Sequence, residues 1–158
     1  EDFMDKKEYK QLISMAANGD AKAFSKLYET VYRDMYYTAF YSLKNDDDAI
    51  EAVTGAARDG FNSAARLRNE AQFRVFMMRT LCARIKMFFK EYGGGGLSGK
   101  QPEIKKMLFT LPDIERLLIV MHVGGRFSVE ETAAFAGMTA GSVRKKLIKA
   151  AQTLGIED

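Results

Sequence analysis

Few residues in this chain have the types and spacing that chemistry needs. There is one histidine, His122, and one cysteine, Cys82, in 158 residues. A zinc site wants four ligands drawn mostly from Cys and His. His122 stands instead in the apolar run Ile119-Val120-Met121-His122-Val123, where a structural role is expected. Cys82 has no resolving partner and reads as a buried thiol. No Ser/His/Asp constellation and no pair of carboxylates in an apolar cleft pattern is found, which argues against an enzyme. Gly94, Gly99 and Lys100 satisfy G-x-x-x-x-G-K, the greater part of a phosphate loop. That loop needs a strand before it, a helix after it and a Ser or Thr for magnesium. Here a helical pattern precedes, Gln101 takes the Ser/Thr place and Pro102 follows, so a linker is the better reading. No metal or cofactor is expected.

Binding chemistry is better supplied. Ser128 and Glu131 form a capping box that opens one short helix. Ala136-Gly137-Met138 is a tight connection of the length that joins the two helices of a helix-turn-helix. Ala133 and Ala134 let those helices approach, and Gly137 takes the positive φ of the turn. Thr139 caps the next helix, whose inward stripe is Val143, Leu147, Ala150, Ala151 and Leu154. Thr139, Ala140, Ser142, Arg144, Lys145, Lys146 and Lys149 fall near or on its other faces. From residue 132 to residue 156 there are four basic side chains and no acidic one. In a DNA-binding helix-turn-helix the second helix enters the major groove, with its N-terminal residues at base edges. Short hydroxyl side chains there can meet bases or phosphates, while Arg and Lys anchor the DNA backbone; the alternative is a solvated helix-loop-helix used only for protein contact.

The elements that must position these residues are helices. The composition is ordinary for a globular chain, with 47% hydrophobic and 28% charged residues and a net charge of +3. The longest apolar runs fall far below the ~20 residues of a membrane span. The opening Glu1-Asp2-Phe3-Met4-Asp5 has no signal-peptide core, so a cytoplasmic protein without membrane insertion is expected. Strand signals are nearly absent. Phe24, Leu27, Tyr28, Val31, Met35, Ala39, Phe40 and Leu43 are spaced by threes and fours, the period of an amphipathic helix. A shorter helix over 9–17 precedes it, with Asp20 placed as the cap between them. A third helix is predicted from Asp48 to about residue 67 and a fourth ends near residue 92. Four consecutive glycines, Gly93 to Gly96, then stop the pattern. Helices near 103–109, 113–123, 129–135 and 140–154 follow. The predicted fold is all-α, in two small helical domains at 1–92 and 103–158, joined by a flexible linker at 93–102.

Charge divides the first domain. Residues 1–59 hold eight basic and twelve acidic side chains, whereas residues 66–90 hold seven basic and one acidic. An acidic patch suits a protein partner. A basic stripe with Phe73, Phe76, Phe88 and Phe89 interleaved suits single-stranded DNA, although helical spacing makes those rings core candidates first.

The sequence resembles the extracytoplasmic-function class of bacterial sigma factors. In the second domain the match is to sigma region four. It comprises Leu111-Pro112, Arg116, Phe127-Ser128, Glu131-Thr132-Ala133 and the run from Gly137 to Leu147. In the first domain, Ala17-Asn18-Gly19-Asp20-Ala21 through Tyr28 resembles the opening of region two. Asp47-Asp48-Ala49-Ile50-Glu51 is similar to the helix start that the family presses on RNA polymerase, and Phe73 to Arg79 is similar to the approach to its −10 helix. The resemblance implies core RNA polymerase, promoter DNA and an anti-sigma factor as partners. It implies −35 contacts from Thr139, Ala140, Ser142, Arg144, Lys145, Lys146 and Lys149. It implies −10 contacts from Arg68, Asn69, Arg79, Arg84 and Lys86, and polymerase contacts from Asp47, Asp48 and Glu51. Phe76 stands where the family carries a Trp, and Thr80-Leu81-Cys82-Ala83 lacks the polar side chains the family places near DNA. Those departures motivate a second reading, a sigma-like regulatory protein that no longer melts promoters.

Overall fold

A computed structural model describes residues 4–69, 72–92 and 103–155. The linker expected at 93–102, with its phosphate-loop-like glycines, lies outside them. Every regular element among the described residues is helical. The helices are α1 (Lys6–Ala17), α2 (Ala21–Leu43), α3 (Asp46–Asn62), α4 (Phe73–Tyr92), α5 (Glu103–Thr110), α6 (Asp113–Ile119), α7 (Val129–Ala136) and α8 (Ala140–Leu154). A 3-10 segment, Ala64–Asn69, precedes α4, and a π-helical turn, Val120–Gly124, extends α6. Among the described residues no helix is long and apolar enough to cross a membrane.

The caps explain most boundaries. Asp20 accepts from the Ala23 amide at 3.0 Å and starts α2. Asn45 accepts from the Asp48 amide at 2.8 Å, so α3 begins two residues earlier than the carboxylate run alone predicts. With Asn45 as cap, Asp46, Asp47 and Asp48 all occupy the first turn, where the helix dipole favours negative charge. The third helix also ends early, because Ser63 breaks it and residues 64–69 tighten into the 3-10 form.

Helices α1 to α4 pack around α2. Leu27, Met35 and Ala39 of α2, Ala49, Ala52 and Ala56 of α3, and Met77, Leu81 and Ile85 of α4 are fully buried there. Small residues on α3 bring α4 close. A Cβ at Gly55 would meet the Arg84 guanidinium at 3.0 Å. The bare glycine therefore lets that guanidinium lie across α3 and bind Asp59 through two hydrogen bonds of 2.6 and 2.7 Å. Phe73 and Phe76 are buried, Phe73 edge-on to Phe24, so these two rings are core.

The second half packs on the first. Helices α2 and α4 meet α5, α6, the π turn and α7, and the buried apolar residues of both halves form one continuous cluster. Arg116 of α6 crosses this boundary although its side chain is almost wholly buried. Its Nε donates to the Ser42 carbonyl at the end of α2 at 2.7 Å. Its Nη1 donates to the Leu111 carbonyl at 2.7 Å, and its Nη2 to Asp113 at 2.6 Å. Burial pulls the guanidinium's pKa down and the Asp113 carboxylate opposes that pull.

The Asp59–Arg84 pair gives the fold an acid limit. Its hydrogen bond with Arg84 holds the Asp59 carboxyl below the ordinary carboxylate range. The folded state then binds that proton less tightly than the unfolded state. The pair stabilises the fold above the ordinary carboxylate pKa, and this contribution fades as pH falls from there through the lowered value. Both side chains are partly exposed, so Asp59→Asn is expected to cost about 1 kcal/mol near neutral pH. The gap in urea midpoint between variant and parent should narrow as pH falls below the ordinary carboxylate range, and a gap that does not change with pH would show that the charge is not the cause.

Candidate nucleic-acid interface

The helix-turn-helix of the second half is assembled by local chemistry. Ser128 accepts from the Glu131 amide and Glu131 accepts from the Ser128 amide, both at 3.0 Å, which fixes the start of α7. At its end Gly137 adopts φ 68°, a left-handed conformation that costs a β-carbon-bearing residue more. This lets the Met138 amide reach back to the Ala133 carbonyl at 2.9 Å. Thr139 then accepts from the Ser142 amide at 3.1 Å and launches α8. Val143, Leu147 and Ala150 are buried against α5, α6 and α7, while Ala151 and Leu154 are half-buried. The inward stripe fixes the rotation of α8.

With that rotation set, the predicted residues of α8 sort by face. Arg144, Lys145 and Lys149 are exposed. Ala140, Ser142 and Lys146 are half-buried, and exposed Thr139 spends its hydroxyl on the cap. Arg144 leans back on Glu130 of α7 at 3.4 Å. Lys149 stands 3.9 Å from Glu115, a carboxylate buried on α6. At that distance and with Lys149 so exposed, the pair is loose and the ammonium remains available to solvent anions.

The basic residues around α4 are placed differently. Arg68 donates to the Asn18 side chain at 2.5 Å, and the side chain of Asn69 lies outside the described residues. Arg79 is exposed, on the solvent side of α4. Arg84 lies on Asp59. Lys86 donates to the Ala136 carbonyl of α7 at 2.8 Å, across the boundary between the halves. Thus Arg84 and Lys86 both spend donors within the chain. Leu81 and Cys82 are fully buried, and the Thr80 hydroxyl donates to the Phe76 carbonyl at 3.0 Å.

The acidic turn of α3 forms a compact anionic corner. Asp47 and Glu51 are exposed, and Asp48 is held by the Asn45 amide group at 2.9 Å. Asp46 accepts a hydrogen bond from the Tyr36 hydroxyl of α2, which pushes that phenol's pKa up to about 12. Tyr36 belongs to a ladder on α2 that the charge pattern did not reveal. Tyr28, Tyr32, Tyr36 and Phe40 follow at every fourth residue, with ring centroids 5.7 to 6.5 Å apart. The four-residue spacing was the available signal, but the same aromatics also fit the core stripe.

No family model matches the sequence, and no curated protein matches it. Solved structures do. One is CnrH in complex with the cytosolic domain of CnrY, with a TM-score of 0.74 and 17% identity, covering 91% of this chain and 92% of that one. Another is the sigma factor RpoE in complex with the anti-sigma factor NepR from Bartonella quintana, with a TM-score of 0.69 and 17% identity. It covers 85% of this chain and 95% of that one. The fold is that of a sigma factor. On this sigma-factor fold the chain presents the exposed cations of α8 and the anionic corner of α3. At 17% identity it is the backbone architecture, more than the surface, that is shared.

The cap of α8 sets the position of every side chain along its exposed face. Thr139→Ala is expected to destabilise the protein by about 1 kcal/mol, and Thr139→Ser to restore most of the loss. Thermal melts of the two variants check this. Equal melting of Thr139→Ala and the parent would mean that packing against α6 and α7 alone holds α8.

Proposed function

We propose that this chain is a sigma factor of the extracytoplasmic-function type, a cytoplasmic, non-enzymatic protein that directs core RNA polymerase to promoters. The observation that carries this reading is a sigma-factor fold bearing an exposed cationic helix at the second position of a helix-turn-helix. In this reading 1–92 and 103–158 act as two units, region two-like and region four-like, connected by 93–102. Helix α8 lies in the major groove of the −35 element. Thr139, Ser142 and Lys145 or Lys146 approach base edges, Ala140 lies at the same interface, and Arg144 and Lys149 hold phosphates. Arg68, Asn69, Arg79, Arg84 and Lys86 serve the −10 strand. Asp47, Asp48 and Glu51 meet core polymerase. An anti-sigma factor is the expected regulator, a reading supported by the RpoE structure, in which the partner is an anti-sigma factor.

A second reading is a regulatory protein that keeps the fold and no longer melts DNA. It is favoured by α4, where Arg84 and Lys86 are tied to Asp59 and Ala136 and Cys82 is buried. Transcription decides between them. The first reading expects promoter-dependent transcripts when the protein is added to purified core polymerase. Tight core binding with no transcript on any of many templates supports the second.

Two variant sets test the assigned surfaces. Lys149→Ala should weaken binding to every duplex alike and reduce the salt slope by about one ion. Ser142→Ala should cost about 1–3 kcal/mol on a −35 duplex and little on a scrambled one. If neither change alters binding to either duplex, α8 is not the DNA reader. The triple change Asp47→Ala, Asp48→Ala, Glu51→Ala should lower affinity for core polymerase while leaving duplex binding intact. Equal core affinity in the folded triple variant removes α3 from the polymerase surface.

A further inference from the structure

The side of α4 that faces the second half repeats every fourth residue as Arg74, Met78, Cys82 and Lys86. Its middle is apolar. Met78 and Cys82 are fully buried, and the Cys82 Sγ lies 3.2 Å from the Sδ of Met121 in the π turn. Its ends are cationic and lie about 18 Å apart along the helix. At one end Arg74 donates to the Gly125 carbonyl at 3.1 Å, and its guanidinium carbon sits 4.1 Å from the centre of the Phe127 ring. Asp34 of α2 supports it from behind at 3.4 Å. At the other end Lys86 donates to the Ala136 carbonyl at 2.8 Å, at the C-terminal end of α7, where the helix dipole favours a cation.

Both cations therefore donate to neutral oxygens of the second half, and Arg74 is also paired with Asp34 of its own half. A phosphate oxygen makes a stronger hydrogen bond to either of them than a carbonyl does. The Arg74 end goes further. An aromatic face stacked on a guanidinium, with an oxygen acceptor beside it, is the arrangement a nucleotide offers an arginine through its base and phosphate. Phe127 and the Gly125 carbonyl occupy that arrangement within the chain.

We infer that Arg74 and Lys86 form a two-point latch that holds the halves together, and that single-stranded DNA opens the chain by drawing both cations away. The opening by DNA rests on the role proposed for α4; the latch does not. Closure and strand binding through these two residues then compete. In the closed chain both cations are partly exposed but bonded to the second half, so a strand that takes the same donors loosens α4 from the π turn and α7.

Cys82 reports on the latch, because it is the chain's only cysteine and lies in the middle of the seam. Burial pushes its thiol up to about 12, so its reaction with a small neutral maleimide should be slow in the closed chain. Two variants separate the effects. Arg74→Gln removes the cation, and Phe127→Leu removes the ring it stacks on while keeping the site apolar and Arg74 in place. Both should speed Cys82 labelling by severalfold to about tenfold with unchanged circular dichroism. Binding of a fluorescent oligothymidylate should move in opposite directions, weaker for Arg74→Gln and tighter for Phe127→Leu. The same strand should speed labelling of the parent chain. Equal labelling rates in parent and folded variants overturn the latch. Faster labelling of Phe127→Leu without tighter strand binding overturns the coupling to DNA. A strand that binds none of the three proteins refutes the opening by DNA together with the role proposed for α4, and the labelling rates still decide the latch.

Discussion

A single buried guanidinium holds much of this architecture in register. Arg116 reaches from α6 to the last carbonyl positions of α2, to Leu111 and to Asp113. A charge in that position would cost several kcal/mol if it were unpaired. Three hydrogen bonds, one of them to a carboxylate, offset the cost only while α2, the 111–113 turn and α6 keep their places. Phe89 of α4 adds its ring face 5.6 Å away. The demand for satisfaction makes Arg116 a gauge of the whole boundary. Moving either half by a hydrogen-bond length strands a donor in an apolar core. The Arg74 and Lys86 contacts are partly exposed and tolerate loss better, so the seam has one rigid point and two releasable ones.

Much of the fold was legible because its signals are local. Asp20, Ser128 with Glu131, Gly137 and Thr139 each do what their position in the sequence announces, and α8 runs over the residues that its periodicity outlines. These features depend on neighbours three or four residues away, and a sequence displays such neighbours directly. The errors of detail have the same origin. The start of α3 moved to Asp46 because Asn45, a better cap than the carboxylates following it, stood one place earlier. The helix predicted through 123 ends at Ile119 and continues as a π turn. The His122 ring there meets the Phe127 carbonyl through Nδ1 at 2.7 Å, a contact no periodicity encodes.

The candidate site was legible in part. The outward cations of α8 follow from the buried stripe of Val143, Leu147 and Ala150, since one face fixes the other. The fate of the α4 cations does not follow from any pattern within α4. Seven basic residues over 66–90 read as one stripe. The partners of Arg84, Lys86 and Arg74 lie on α3, on α7 and beyond the π turn, many residues away in sequence, and only tertiary packing brings them together. The same holds for the tyrosine ladder of α2. Four-residue spacing predicts both a core stripe and an exposed ladder, and the position of α3 decided that Tyr32 stays outside while Leu27 and Val31 go in.

The acceptors along the seam have a property in common. Ser42, Gly125 and Ala136 all contribute their main-chain oxygens. Helix α8 rests on α5, α6 and α7 and supplies none of these oxygens itself. A carbonyl is present whatever side chain its residue bears, so substitution along α8 leaves the docking chemistry unaltered. The exposed face of α8 is therefore open to changes that the joint between the halves does not register.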